Sequence, residues 1–110
     1  ATFIKYTKEL EAEFGVRIRS FGHAGDGNLH IYILKDDLDR TVWKDKMNRI
    51  MELLYAKSKE LGGQVSGEHG IGISKKEYLR ADLGDTLISL QKQIKQVLDP
   101  KNLLNPGKLF

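Results

Sequence analysis

Two long segments of the chain place apolar residues three or four positions apart, which predicts two amphipathic helices. The first covers residues 2–14 and should end at Gly15, because glycine readily adopts the left-handed conformation that closes a helix. The second should begin after Asp39, whose side chain suits the N-cap, and run to Leu61. The pair Gly62-Gly63 is expected to end it.

The last third of the chain has helical patterns of its own. A short helix is expected at residues 74–80, and a last helix should start at a cap formed by Asp85 and end at Asp99-Pro100. Its apolar residues form one stripe: Leu87, Leu90, Ile94 and Val97. The tail that follows is rich in turn residues, and we expect its four large apolar side chains to dock on another surface: Leu103, Leu104, Leu109 and Phe110.

A β-hairpin is predicted between the first two helices. Residues 16–23 alternate polar and apolar positions, and residues 28–35 are rich in β-forming side chains. Between them, Asp26-Gly27 favours a two-residue type I′ turn, which needs positive φ at both residues. A turn centred there places His23 opposite His30, with Cβ atoms about 5 Å apart. A bulge that shifts the pairing by one residue would instead send the two rings to opposite faces.

The predicted order is helix, strand, strand, helix and a short strand at residues 64–66, followed by helices. This order matches the β-α-β-β-α-β order of a ferredoxin-like plait without its first strand. We therefore expect an α+β fold, with a ferredoxin-like antiparallel sheet, helices on one face, and a helical C-terminal extension. Because the helical pattern already begins at Phe3 with no capping residue before it, we expect the chain to be a piece of a longer protein.

Composition limits the class of protein. The 110 residues suit a single domain, and 40% of them are hydrophobic, which is enough for a core. The 18 basic and 15 acidic residues are interleaved, which favours a solvated surface over nucleic-acid binding. We find neither a transmembrane segment nor a signal peptide, so a cytoplasmic or matrix-like location is expected. The chain has no cysteine, so a metal would have to be bound by histidine and carboxylate groups.

The two histidines of the hairpin are the first candidates for chemistry. Neutral imidazole is the commonest protein ligand for zinc and related metals, so His23 and His30 predict a two-histidine metal site. The alternative is a pair of surface histidines on a well-formed hairpin. Tyr32 is expected on the same face as His30, either at the edge of the core or as a wall of the site. Asp26 and Asn28 are interpreted as turn residues.

The third histidine lies in the glycine-rich segment 67–72, directly after Glu68. Glu68 can supply the carboxylate of a two-histidine, one-carboxylate metal site. His69 can act as a general base, since the unperturbed pKa of histidine is about 6.5. The alternative is a glycine-rich turn with a solvated acid. Lys75, at the start of the next helix, is expected to face either an anionic substrate or solvent.

Three ordered motifs together resemble a known family. They are Gly22–His30, Ser66–Gly72 with Lys75, and Leu98–Pro100 with Asn105–Lys108. This combination resembles the C-terminal domain of FAD-linked oxidases of the vanillyl-alcohol-oxidase type. Its members include the glycolate oxidase FAD subunit, D-lactate dehydrogenases and D-2-hydroxyglutarate dehydrogenase. The motifs span nearly the whole chain.

The resemblance implies a role for several side chains. It implies that a divalent metal, zinc before others, is bound by three of them: His23, His30 and Glu68. His69 would act as the base, and the flavin would take the hydride. Lys75 and Tyr32 would contact the substrate, and Asn105 would contact the cofactor. Relatives that act on D-2-hydroxyglutarate have asparagine at the position of Tyr32, so we expect a different 2-hydroxy acid, such as glycolate or D-lactate.

The resemblance also implies how the chain is organised. Residues 1–110 would be part of the C-terminal substrate and metal domain, without the flavin-binding domain, and inactive alone. Its partners would be the 2-hydroxy acid, the flavin domain, and other oxidase subunits or a second copy. The location would be the cytoplasm, or the periphery of the inner membrane through partner subunits. Two alternatives remain: a non-redox flavin relative such as an alkyl-ether lipid synthase, or a flavin-independent metal-binding or interaction module.

Overall fold

A computed structural model describes residues 1–109 and has a mixed α+β architecture, as predicted. The elements are α1 (Thr2–Phe14), β1 (Ile18–His23), β2 (Asn28–Ile33), α2 (Arg40–Glu60) and α3 (Lys76–Leu98). The chain divides into two compact units, the first covering Ala1–Gly63 and the second starting at Gln64. Among the helices described, none is both long and apolar enough to cross a membrane.

The ends of the first two helices form where the local signals predict them. Gly15 closes α1 with φ 59° and ψ 43°, and its N–H donates to the carbonyl oxygen of Glu11. Asp39 caps α2, because its carboxylate accepts hydrogen bonds from the N–H groups of Thr41 and Val42 at 2.8 and 3.4 Å. These backbone donors stabilise the ionised form and lower the pKa of Asp39.

The two strands pair antiparallel, but in a different register from the prediction. The pairs run from Ile18 with Ile33 to His23 with Asn28, so a four-residue loop at 24–27 connects the strands. The predicted two-residue turn is wrong because only Gly27 adopts a positive φ, of 66°, while Asp26 does not. A type I′ turn needs positive φ at both residues. Asn28 is therefore the first residue of β2 and not a turn residue.

The core of the first unit lies between the helices and one face of the hairpin. Its buried residues come from α1, the loop after it, β1 and α2: Leu10, Val16, Ile18, Ile50 and Leu54. Ile31 and Ile33 of β2 pack against this cluster. The helices thus cover one face of the sheet, as predicted for this part of the fold. The other face is formed by alternate residues of both strands: Arg19, Phe21, His23, Asn28, His30 and Tyr32.

The second unit has no strand among its described residues, so the strand predicted at 64–66 is wrong. Val65 is buried there, as its apolar side chain suggests. Its carbonyl oxygen, however, accepts a hydrogen bond from Nζ of Lys75 at 3.3 Å, where a strand would use a neighbouring backbone N–H. In the described part of the chain, the sheet therefore consists of β1 and β2.

The two predicted C-terminal helices are present as two helical segments of α3 that are separated by a kink at Gly84. Gly84, at φ 75° and ψ 168°, interrupts α3 one residue before the predicted cap. The carboxylate of Asp85 accepts two hydrogen bonds from the guanidinium of Arg80, at 3.0 and 2.8 Å. The predicted apolar stripe is exposed, with exposed fractions between 47% and 80%: Leu87, Leu90, Ile94 and Val97. Ile88 is the buried apolar residue of this helix.

The chain turns sharply after α3 around the carboxylate of Asp99. This buried side chain accepts hydrogen bonds from Nζ of Lys95 and from the N–H groups of Leu103 and Leu104. Lys95 first, and then these two backbone donors, lower its pKa to about 2. The N–H of Leu109 donates to the carbonyl oxygen of Gly72 at 2.6 Å, so this part of the tail docks within the second unit.

The structure shows only part of the docking that was predicted for the tail. Leu103 and Leu104 are 72% and 64% exposed. The last apolar residue of the prediction, Phe110, lies outside the described residues.

Candidate functional site

The hairpin brings two histidines together on its open face. His23 ends β1, and His30 lies two residues beyond Asn28, the pairing partner of His23. Residues two apart in a strand share a face, so the two imidazoles are diagonal neighbours. One ring nitrogen of each lies within 4.8 Å of the other. The predicted proximity is therefore correct, although the two histidines are not directly opposite each other.

This arrangement fits the chemistry of a divalent metal site. Two nitrogens bound to one zinc at about 2.0–2.1 Å in tetrahedral geometry are about 3.3 Å apart. That separation lies within the 4.8 Å limit observed for the pair. His23 is exposed and His30 half-buried, so a metal bound here would keep open positions for water or substrate.

An aromatic stack lies beside the histidines. Phe21 is directly opposite His30, with ring centroids 5.5 Å apart. Its ring also stacks on Tyr32, with centroids 5.1 Å apart and an interplanar angle of 17°. Tyr32 thus lies on the face of His30, as predicted. The sequence analysis did not single out Phe21, although the alternation of β1 already places it on the same side as His23.

Asn28 is a further polar residue of this face that was not predicted to be a site residue. It lies directly across from His23, and its side-chain Nδ2 is buried without a hydrogen-bond partner. An amide next to an imidazole can orient it through a hydrogen bond after a small rotation. Asn28 and His23 therefore lie side by side on the open face, with no hydrogen bond from Nδ2 of Asn28.

The second unit holds the other predicted polar residues in an exposed loop. Nε2 of His69 lies 3.0 Å from Oε1 of Glu68, and the two side chains are 76% and 41% exposed. Gly70 adopts φ 69°, a left-handed conformation that glycine tolerates, and its carbonyl accepts from Oγ of Ser66 at 3.4 Å. The contact between Nε2 of His69 and Oε1 of Glu68 orients the imidazole of His69.

Two other predicted residues lie nearby in this unit. Lys75 is half-buried and donates from Nζ to the carbonyl oxygen of Val65. Asn105 is exposed in a turn with φ 47°, and its carbonyl oxygen accepts from the N–H of Lys108 at 3.2 Å. Its side chain is on the surface.

Glu68 also borders a cavity of about 420 Å³ within the second unit. Its apolar lining includes Ile71, Leu79 and Leu83. Gln91 contributes a buried Oε1 atom that has no hydrogen-bond partner. The lining beside the Glu68 loop is therefore part polar and part apolar.

A comparison with protein families decides where the chain belongs. The model of the family described as FAD linked oxidases, C-terminal domain, matches residues 1–109. The chain belongs to this family. The resemblance seen in the three motifs is thereby confirmed over almost the whole chain.

The chain is similar to several named proteins, and three of them are described here with the share of each sequence that is aligned. It is 49% identical over 109 residues to a D-lactate dehydrogenase of Anaerostipes hadrus, covering 99% of the chain and 23% of that protein. The chain is 40% identical over 113 residues to the glycolate oxidase subunit GlcD of Bacillus subtilis, an alignment that covers 100% of the chain and 23% of that protein. The chain is also 36% identical over 111 residues to a D-2-hydroxyglutarate dehydrogenase of Stutzerimonas stutzeri, and this alignment covers 96% of the chain and 24% of that protein. The chain spans about a quarter of the length of these relatives.

Proposed function

We propose that this chain is the substrate- and metal-binding part of an FAD-dependent dehydrogenase or oxidase that acts on a 2-hydroxy acid of the glycolate or D-lactate type. The observation that carries the proposal is the pair of His23 and His30, whose ring nitrogens approach within 4.8 Å on the open face of the hairpin. Family membership supports the flavin half of the proposal, since the matching family is that of FAD-linked oxidases.

The metal in this proposal is divalent, with zinc as the first choice, and its ligands are His23, His30 and Glu68. The absence of cysteine leaves imidazole and carboxylate as the donor set, which suits zinc, iron and manganese. When bound, such an ion acts as a Lewis acid that lowers the pKa of a coordinated hydroxyl group. The carboxylate of Glu68, which contacts Nε2 of His69, is the proposed third ligand.

His69 is the proposed base that accepts the hydroxyl proton of the substrate. Its Nε2 bonds to Glu68, which fixes the ring and stabilises the imidazolium that forms. Lys75 and Tyr32 are the proposed substrate contacts, with Lys75 donating to the substrate carboxylate. A bound flavin would supply the hydride acceptor, and Asn105 is the proposed contact to that cofactor.

The flavin domain, and either other oxidase subunits or a second copy of the chain, are the proposed partners. The proposed location is the cytoplasm, or the periphery of the inner membrane through those subunits. In this proposal, residues 1–110 alone bind no substrate productively, because the hydride acceptor is held elsewhere in the longer protein.

The three histidines of the chain provide a direct test. In the full-length protein, His23→Ala and His30→Ala should lose bound metal, measured by elemental analysis, while keeping the flavin absorbance. His69→Ala should keep both metal and flavin but lose oxidation of 2-hydroxy acids by at least 100-fold, the usual contribution of a general base. Normal turnover by His69→Ala would remove it from the role of base.

A panel of D- and L-2-hydroxy acids, assayed on the same protein, identifies the substrate. Oxidation of glycolate or D-lactate is expected. Metal-free wild-type protein with full activity would refute the metal site. Metal-loaded protein with bound flavin that oxidises no acid in the panel would refute the oxidoreductase assignment.

A further inference from the structure

The open face of the hairpin has an unusual composition for a surface exposed to solvent. Phe21 and Tyr32 are 58% and 49% exposed, yet their rings stack face to face at 5.1 Å. Stacked aromatic pairs in cores and interfaces gain from burial, whereas an exposed pair leaves much of that gain unused. This stack is therefore available to contact a ligand.

The stack is continuous with the histidine pair. Phe21 contacts His30 across the strands and lies two residues before His23 along β1, a distance of about 6.6 Å. A substrate with its oxygens at the histidines can thus place its carbon substituent against the aromatic rings.

Arg19 is the one arginine or lysine among the six residues of this face. Arg19 lies opposite Tyr32, but its guanidinium donates to Glu11 at 2.8 Å and to the carbonyl oxygen of Ile18. Glu11 is ionised at neutral pH, because Lys8, the N–H of Ile18 and Arg19 lower its pKa to about 2. The positive charge of Arg19 is thereby compensated by the carboxylate of Glu11 in α1.

We propose that Phe21 and Tyr32 form an apolar wall that determines which substituent on C2 of the 2-hydroxy acid is accepted. This inference rests on the proposed function and deepens it. A hydrogen or methyl substituent loses little hydration against two rings, whereas a second carboxylate would lose its water without gaining a charged partner. The wall selects monocarboxylic acids with a short, uncharged substituent on C2 over dicarboxylic ones.

Phe21 is the residue to test, because it joins His30 to Tyr32. In the full-length protein, kcat/KM is measured for glycolate, D-lactate, D-2-hydroxybutyrate and D-2-hydroxyglutarate. Phe21→Ala should raise the ratio for D-2-hydroxybutyrate over D-lactate by at least about tenfold, since one methylene in an apolar site changes discrimination by 10–200-fold. Phe21→Leu, which keeps an apolar side chain on the strand, should give an intermediate ratio.

Two further measurements separate selection from structural damage. Metal content, determined by elemental analysis, should equal that of wild type in Phe21→Leu. Val42→Ala, at a 45% exposed position on α2, is the control and should leave every ratio unchanged. Unchanged ratios in both Phe21 variants overturn the wall while the proposed function stands. A wild-type protein that oxidises none of the four acids overturns the proposed function, and the wall with it.

Discussion

Gly22 is the position where one added methyl group should disrupt the histidine pair. A Cβ atom on this residue would lie 2.2 Å from the carbonyl oxygen of Asn28, and 3.0 Å from the Cα atom of Leu29. Gly22 pairs with Leu29, and the next pair joins His23 to Asn28. The crowded atoms are backbone atoms of β2, so they cannot turn aside as a flexible side chain can. Gly22→Ala should therefore push the strands apart next to His23.

The size of the effect follows from this geometry. The 2.2 Å contact is about 1.2 Å shorter than the 3.4 Å at which ordinary van der Waals contacts begin. Overpacking of this kind typically costs 1–3 kcal/mol of unfolding free energy. With an m value of about 2 kcal/mol per molar urea, the unfolding midpoint should fall by about 1 M. Because ligand separation changes as well, the affinity of the pair for zinc should fall more than tenfold.

The chain provides an internal probe and two matched controls. Trp43 is the single tryptophan and lies in α2, so its fluorescence in urea reports unfolding of the first unit. Gly25→Ala changes a loop residue that has nothing within 4 Å of an added Cβ, and should leave both the midpoint and zinc affinity near wild type. Gly27→Ala also has free space, but its φ of 66° should cost about 1 kcal/mol through backbone strain alone.

Zinc affinity is measured by competition with a chromophoric chelator on the same samples. The expected order of destabilisation is Gly22→Ala, then Gly27→Ala, then Gly25→Ala. If Gly22→Ala and Gly25→Ala are equally stable and bind zinc equally well, close approach of the strands at Gly22 does not position the histidines.

Three other perturbations test the packing and the charges. Ile50→Ala removes a side chain with 0% exposure and should destabilise the first unit by about 2–5 kcal/mol in urea, whereas Val42→Ala on the same helix should stay within about 0.5 kcal/mol. Glu11 has a folded pKa of about 2, below its ordinary 4.5, so its stabilisation is complete above pH 4.5 and is lost as the pH falls toward 2. Glu11→Gln should flatten the pH dependence of the Trp43 unfolding midpoint in that window, and an unchanged slope would contradict the assignment. Asp99→Ala should speed hydrogen exchange at the amides of Leu103 and Leu104 by about tenfold in NMR spectra, because both lose a charged acceptor; equal protection would show that other groups hold this turn.

Features of the fold that depend on a few adjacent residues could be predicted from the sequence. Gly15 ends α1 because a glycine at that point adopts the left-handed conformation, and Asp39 caps α2 through its own carboxylate. Both interactions span at most four residues of chain. Neither interaction requires a contact with a residue that is distant in the sequence.

Features that need a distant partner could not be predicted in this way. The apolar side chain of Val65 suits a strand, but a strand also requires a neighbouring strand that pairs with its backbone. The carbonyl oxygen of Val65 instead accepts a hydrogen bond from Nζ of Lys75. The stripe from Leu87 to Val97 indicates that α3 has an apolar side, but not what covers it. The spacing of apolar residues indicates whether one segment forms a helix or a strand, whereas strand pairing and burial depend on contacts between two elements.

The hairpin shows why a wrong register still led to the right pair of histidines. The observed pairing differs from the predicted one by two residues, and strand side chains alternate with a period of two. An even shift therefore keeps His23 and His30 on one face, whereas a shift by one would have separated them. The same shift replaces His23 by Phe21 as the residue opposite His30. In the predicted register Phe21 would lie opposite Tyr32, whereas the observed register places its ring against the proposed metal ligand His30, where a second imidazole had been expected.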